Sequence, residues 1–381
     1  MRAFLLLLST TLAVPAFAQD NAQDAQTVVV TGTPLRETAK RLADCIARKC
    51  PPKEDIDASL AHAENQLVAG DYAGGRRTLG KARGRNRQFA NVFPLEVSDL
   101  DRAYGRMSNL NGRPDAGRLA QIESLEALRA GLDAGDSRIF MQQIMIGDEF
   151  ARAGKYRAAT DVYEKVAKQA RKAGDLRATG FAMMREALLY SALARAVSGY
   201  SKEAERQIAK IERTQELDLA PFRDAAKLLR TKVAAISGDQ KELARKIAAI
   251  PPQASGRPTL IYAPPIVSEE MLPTENDTSG NGDPEWIDIR FRVAADGSVH
   301  DVETLRDSGN VGGTWPKLVY LSISGRRYAP LALQPGSAGP ARIERFSYVH
   351  DLVWRTGSRV PERIIRGRIT SLDLTTDPAQ S

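Results

Sequence analysis

The sequence predicts an α+β protein in two parts: an N-terminal array of α-helical hairpins, and a small C-terminal antiparallel β-sheet with one helix. Two observations lead to this class. Residues 55–250 are Ala-rich, and their amphipathic runs are joined by short turns that contain glycine. Residues 285–375 instead alternate apolar and polar side chains between turns. A chain of 381 residues is long enough for about two such domains.

The first 18 residues have the pattern of a secretory signal peptide. Arg2 precedes the apolar run 3–14, and Ala16 and Ala18 occupy the positions of a cleavage site. We therefore predict export, with cleavage after Ala18, although the sequence leaves open whether the segment is kept as an anchor. No later run has the roughly twenty apolar residues that a membrane-spanning helix needs.

Cys45 and Cys50 close an N-terminal region of residues 19–54 that begins with a polar tail. On one continuous helix their Cα atoms would be about 8.5 Å apart, which exceeds the range of a disulfide. Pro51 and Pro52 end the helix, because a residue before proline is displaced from the helical region, so Cys50 is free to fold back. In an exported chain this pair predicts a structural disulfide.

The helical region carries a recurring phrase in which a glycine turn is followed by an aromatic or small residue that opens the next helix. This phrase resembles tetratricopeptide repeats, although two of its spacings exceed the usual period of about 34 residues. The resemblance implies helix hairpins that stack on their neighbours and present a concave peptide-binding surface. We interpret Tyr72, Tyr156 and Tyr200 as core residues. The phrase occurs at 68–74, 151–159, 196–204 and, more faintly, 236–239.

Basic residues cluster at the start of the array, in a chain with a formal net charge of +7. Such a cluster attracts anionic surfaces. Export excludes nucleic acid as a partner of this cluster and leaves lipid headgroups, acidic glycans or acidic proteins as candidates. The alternative is that the cluster is an ordinary helix face exposed to solvent. The predicted basic patch consists of Arg76, Arg77, Lys81, Arg83, Arg85 and Arg87.

Residues 251–284 are Pro-rich and polar, which predicts a linker. Its apolar part, residues 259–265, is suited to pack on the final domain. In the domain that follows, residues 286–293 alternate as a strand with one buried face, and Asp296-Gly297 supplies a hairpin turn. A helix over 315–324 and a strand over 342–354 complete a three-stranded sheet, and residues 363–374 alternate weakly and offer one further strand.

The C-terminal region resembles the C-terminal domain of TonB, the bacterial periplasmic energy transducer. The motifs that carry the resemblance are the strand 287–293, the segments 296–299, 301–302 and 307–309, and the segment 327–330. It implies a domain in the periplasm that binds partners by adding an extended peptide to its sheet edge. The residues predicted to serve strand addition are Ile287, Ile289, Phe291, Phe346 and Tyr348. The cleavable signal and the lack of a long Pro-rich spacer depart from TonB, which weakens the case for an energy-transducing role and leaves energy coupling open.

A β-prone run near the mature N-terminus resembles the TonB box of TonB-dependent outer-membrane receptors. It consists of Val28, Val29, Val30, Thr31 and Gly32. The resemblance implies a segment that docks on a TonB-like sheet, and an ordinary edge strand or tail is the alternative.

No catalytic motif is found, and the three histidines are isolated, so we predict a protein that is not an enzyme and holds no cofactor or metal. The favoured function is a periplasmic adaptor for periplasmic or outer-membrane proteins, TonB-dependent receptors among them, linked to outer-membrane transport. The alternative is a structural envelope protein that binds an anionic surface through the basic patch. Neither hypothesis includes a nucleic acid or a small-molecule substrate.

Overall fold

The computed structural model describes residues 33–236, 245, 247–252, 258–266, 284–353, 357, 362–363 and 367–375. The predicted signal peptide 1–18, the TonB-box-like residues 28–32 and most of the predicted linker lie outside the described residues. From Pro34 onward the chain forms one compact unit. Helices come first and antiparallel strands follow, so the predicted α+β class is confirmed at that level.

Ten α-helices whose bounds lie within the described residues precede the sheet. Each helix packs mainly on the next, and α2 also packs on α4, α6 on α8 and α8 on α10, which is the contact pattern of a stack of helix hairpins. The helices are α1 Leu35–Ala47, α2 Pro52–Ala69, α3 Tyr72–Asn86, α4 Pro94–Leu110, α5 Pro114–Gly131, α6 Ser137–Arg152, α7 Tyr156–Lys172, α8 Leu176–Ala196, α9 Ser201–Glu212 and α10 Ala220–Ile236.

The predicted disulfide joins Cys45 to Cys50. Helix α1 ends at Ala47, and Lys49 has a positive φ of 52°, which turns the chain back. The Cα atoms are 5.1 Å apart, and the Cys50 N–H donates to the Cys45 carbonyl. The disulfide prediction is therefore confirmed.

The C-terminal region contains a four-stranded antiparallel sheet rather than the predicted three strands. Its order is β3-β2-β5-β8, so the weakly alternating segment 363–374 supplies the fourth strand. The strand predicted over 342–354 ends at Val349, and two short strand pairs flank the sheet. The elements are β1 Leu260–Tyr262, β2 Glu285–Val293, β3 Val299–Asp307, α11 Trp315–Ser324, β4 Arg327–Tyr328, β5 Ala341–Val349, β6 Leu352–Val353, β7 Glu362–Arg363 and β8 Arg368–Asp373.

Strand β2 is buried on both faces over residues 286–289, which corrects the prediction of one buried face for this half of the strand. One face carries the predicted apolar stripe and packs against Trp315, Val319 and Ile323 of α11. The other face carries Trp286 and Asp288 and packs on the helical array, where Trp286 joins the core of α2, α3 and α4. Alternating polar residues usually indicate a strand face that is exposed to solvent. In β2 they instead form the polar contact between the sheet and the helical array.

The interpretation of the three repeat tyrosines as core residues holds only for Tyr72. Tyr72 is 1% exposed, whereas Tyr156 is 42% exposed and Tyr200 is 39% exposed. The difference arises because the sheet covers the turn beside Tyr72 but not the turns beside Tyr156 and Tyr200. The hydroxyl of Tyr72 bonds to Ser347 of the sheet, whereas a Cβ atom built on Gly154 or on Gly199, beside the other two tyrosines, would meet no atom within 4 Å.

The sheet region contacts the helical array near both of its ends. Strands β2, β5 and β8 lie against α2, α3 and α4. At the other end, Ile261 of β1 and Ala329 after β4 form a small core with Leu228 of α10 and with Ile247 and Ile250. The apolar segment 259–265 thus packs on the final domain, as expected from its composition.

Candidate functional site

The face between the helical array and the sheet is built around Arg345 of β5. Its guanidinium is fully buried and donates to the backbone carbonyls of Leu67 and Val68 at 2.7 and 2.8 Å, at the C-terminal end of α2. It also contacts the buried carboxylate of Asp288, with Nε 2.6 Å from Oδ1. Helix carbonyls at a C-terminus have no partner within the helix, so Arg345 satisfies them while its charge is balanced by Asp288.

A glycine turn makes this contact possible. Gly70, which follows α2, has a φ of 82°, and a Cβ atom placed there would lie 2.3 Å from Nε1 of Trp286. The indole therefore lies directly on the turn of the first repeat phrase. The glycine serves both the left-handed conformation and the close approach of the sheet.

The five residues predicted to serve strand addition lie in β2 and β5, the two inner strands of the sheet. Their side chains are buried against α11, and their strands pair on both sides. A strand that joined this sheet would meet β3 or β8 instead. The prediction of a sheet edge as the binding element is compatible with the structure, but the residues chosen for it form the core.

The first edge strand, β3, is exposed and irregular. Its register against β2 shifts at two places, and Asp301 has a positive φ of 51°. Bulges and charged side chains of this kind are the features that protect natural sheet edges from further pairing.

The second edge strand, β8, is regular over its six residues. The N–H of Leu374, one residue beyond β8, donates to the carbonyl of Ile343. This hydrogen bond shows which alternate residues of β8 direct their backbone groups toward β5. Arg368, Thr370 and Leu372 therefore turn their backbone groups toward β5, and Ile369 and Ser371 turn theirs away from it. In the described part of the chain, the outward backbone groups of Ile369 and Ser371 have no hydrogen-bond partner.

A cavity of about 1130 Å³ lies beside this edge of β8, between the strand and helices α2, α4, α5 and α6. Its volume exceeds the usual range for drug-sized ligands. The apolar part of its lining consists of Leu60, Ala63, Leu67, Leu79, Ala103, Met107, Leu110, Pro114, Met145, Ala153, Ile369 and Leu372. We call this space the β8 groove.

Charged side chains around the β8 groove are arranged as neighbouring ion pairs with two exceptions among the described residues, Glu64 on α2 and Arg106 on α4. Arg118 pairs with Asp115 at 2.8 Å, Arg152 with Glu149 at 3.0 Å and Arg368 with Asp351 at 2.9 Å, and Arg102 pairs with Asp99. Burial raises the pKa of Glu149. Arg106 is exposed and makes no ion pair with any described residue. Burial, together with the nearby charge of Arg106, lowers the pKa of Arg102, so these two cations stand side by side on the α4 wall of the groove.

The predicted basic patch divides into an inner and an outer half. Arg85 bonds to the buried carboxylate of Asp55 at 2.6 and 2.8 Å, and Arg83 pairs with Asp101 and Glu123. Burial would raise the pKa of Asp55, but hydrogen bonds from Arg85 and neighbouring side chains lower it. Arg76 bonds to Asn111. The exposed half consists of Arg77, Lys81 and Arg87.

A smaller cavity of about 490 Å³ lies where Arg83 meets Asp101. Burial raises the pKa of Asp101 to about 6, because the nearby Arg83 only partly offsets the loss of solvent. The pair joins α3 to α4, and Arg83 also stacks on Tyr104 with its guanidinium carbon 4.2 Å from the ring centre. These contacts give the cavity a structural role, which is to hold α3 against α4.

Comparison with protein-family models gives no match, and comparison with curated protein sequences also gives none. Within the described ranges, no helix has the length and apolar character needed to cross a membrane, and no group of acidic, histidine or cysteine side chains is arranged to hold a metal ion. The residues that sequence reasoning missed are those of the β8 groove. Their one signal was the weak alternation of 363–374.

Proposed function

We propose that this protein is a non-enzymatic, exported adaptor that binds an extended segment of a partner protein by strand addition. The observation that carries the proposal is the regular outer edge of β8, where Ile369 and Ser371 present backbone donors and acceptors beside a cavity. Such an edge binds a peptide backbone without requiring a particular side chain. The resemblances to TonB and to tetratricopeptide repeats support the same class of function, and the partner that we propose is a periplasmic or outer-membrane protein.

The geometry favours this function over attachment to an anionic surface. Half of the basic patch is already engaged, because Arg83 and Arg85 neutralise buried carboxylates and Arg76 bonds to Asn111. The exposed half offers three cations, and each exposed ion pair of this type contributes at most about 1 kcal/mol. The sheet edge, by contrast, has polar backbone groups in place for a specific partner.

The test uses the mature full-length chain and two forms of one peptide. The probe is a fluorescein-labelled heptapeptide of alternating valine and threonine, and its partner form is N-methylated on alternate amides. Fluorescence anisotropy should show binding of the unmodified peptide and a loss of at least about tenfold on methylation, because the methyl groups remove the backbone donors. Equal affinity for both forms, or no binding of either, would contradict strand addition.

A further inference from the structure

We infer that the β8 groove is the specific docking site, and that its occupant is an extended partner segment with apolar side chains at alternate positions and one carboxylate. This inference rests on the proposed function and specifies where it takes place. The two edges of the sheet differ in regularity, in what lies beside them and in charge. Each difference favours β8.

The backbone argument separates the two edges. A new strand needs consecutive outward N–H and C=O groups at the spacing of alternate residues, and Ile369 and Ser371 supply them. Strand β3 is interrupted by two register shifts, so its outward groups are unevenly spaced. A peptide aligned on β3 would lose its pairing at each irregularity.

The cavity beside β8 defines the side chains of the occupant. An added strand lies about 4.8 Å from β8, which places it inside the groove. Its side chains alternate between two faces, and the face toward the helical array meets Met107, Leu110 and Leu372. Apolar residues at every second position therefore match this wall, whereas a glycan or lipid headgroup lacks the evenly spaced N–H and C=O groups that match the edge of β8.

The charge of the groove adds one acidic residue to this description. Arg106 lies one helical turn after Arg102 on α4, and both line the groove. Arg102 has Asp99 as a partner, whereas Arg106 has none among the described residues. A carboxylate from the occupant would complete the ion pairs of this wall.

The experiment places one blocking substitution on each edge of the full-length protein. Ser371→Pro removes an outward N–H of β8 and leaves the pairing with β5 intact, because the Ser371 amide points away from β5. Thr304→Pro does the same on β3, where Thr304 stands opposite Ile289 at a position whose backbone groups do not pair. The probes are two fluorescein-labelled peptides of alternating valine and threonine, one with a glutamate and one with a lysine at its N-terminus. Circular dichroism and thermal unfolding establish that each variant is folded.

We expect Ser371→Pro to weaken binding at least about tenfold and Thr304→Pro to leave it unchanged. The glutamate peptide should bind about fivefold more tightly than the lysine peptide, and Arg106→Glu should reverse that order. Arg106→Glu also tests the groove if Ser371→Pro does not fold.

Loss of binding in Thr304→Pro alone, or no effect of Arg106→Glu on peptide preference, would overturn the assignment to the β8 groove while strand addition itself stands. If neither proline variant weakens binding of the unmodified peptide, both the docking site and the proposed function fail.

Discussion

Glu186 shows how much a single buried charge governs the stability of the helical array. Its side chain on α8 is 1% exposed, one of its carboxylate oxygens has no hydrogen-bond partner among the described residues, and Lys210 is 3.8 Å away. Burial raises its pKa to about 7. The folded protein therefore holds the proton more tightly than the unfolded chain does. This stabilisation is complete below about pH 4.5 and is lost as the pH rises through 7.

We expect Glu186→Gln to stabilise the protein at pH 8.5 by about 1–3 kcal/mol and to change little at pH 5, because the amide remains neutral at both pH values. Urea unfolding at the two pH values measures the difference. Asp161→Asn on the exposed side of α7 is the matched control, and its effect should stay within about 0.5 kcal/mol at both pH values. A stabilisation by Glu186→Gln that is equal at pH 5 and pH 8.5 would refute the role of the buried charge.

At the scale of elements, two similar turns allow backbone strain to be separated from packing. Gly70 and Gly154 both end a helix with positive φ, 82° and 72°. A Cβ atom at Gly154 meets nothing within 4 Å, whereas one at Gly70 would overlap Trp286.

We expect Gly154→Ala to cost about 1 kcal/mol, from strain alone, and Gly70→Ala to cost about 1–3 kcal/mol more because the indole must move. Thermal unfolding of both variants provides the comparison. Combining Gly70→Ala with Trp286→Leu should recover part of the extra cost, and equal effects of the two single substitutions would show that the sheet does not constrain this turn.

These same elements show what the sequence could predict and what it could not. Some features depend only on residues that are close in sequence, and the sequence therefore predicts them. They are the glycine turns between helices, the Asp296-Gly297 hairpin and the Cys45–Cys50 disulfide. The burial of Tyr72 but not Tyr156 depends on a sheet about 200 residues further along the chain, so the similar sequences around the two tyrosines do not predict it. The fourth strand has a weak pattern because one face of β8 meets helices and the other meets α11. Its groove depends on long-range packing.

At the scale of the whole molecule, the contacts of the sheet near both ends of the array predict that the two parts unfold together. All three tryptophans lie in the C-terminal part, so tryptophan fluorescence reports on that part, while far-UV circular dichroism at 222 nm reports mainly on the helices. We expect both signals to give the same midpoint in urea, because unfolding the helical array alone would take the Leu67 and Val68 carbonyls away from Arg345 and remove the helices that bury Trp286.

Arg345→Met should lower both midpoints together and cost about 3–5 kcal/mol, since it leaves the buried carboxylate of Asp288 with Arg306 alone and removes a donor from the carbonyls of Leu67 and Val68. Arg306→Met is the control. Arg306 binds the same carboxylate from a half-exposed position, so its loss should cost about 1 kcal/mol or less. A variant in which fluorescence shifts while the circular dichroism midpoint stays in place would mean that the helical array stands without the sheet. In that case the helices that line the β8 groove would move independently of strand β8, and a bound segment would have to hold the helices and the strand together.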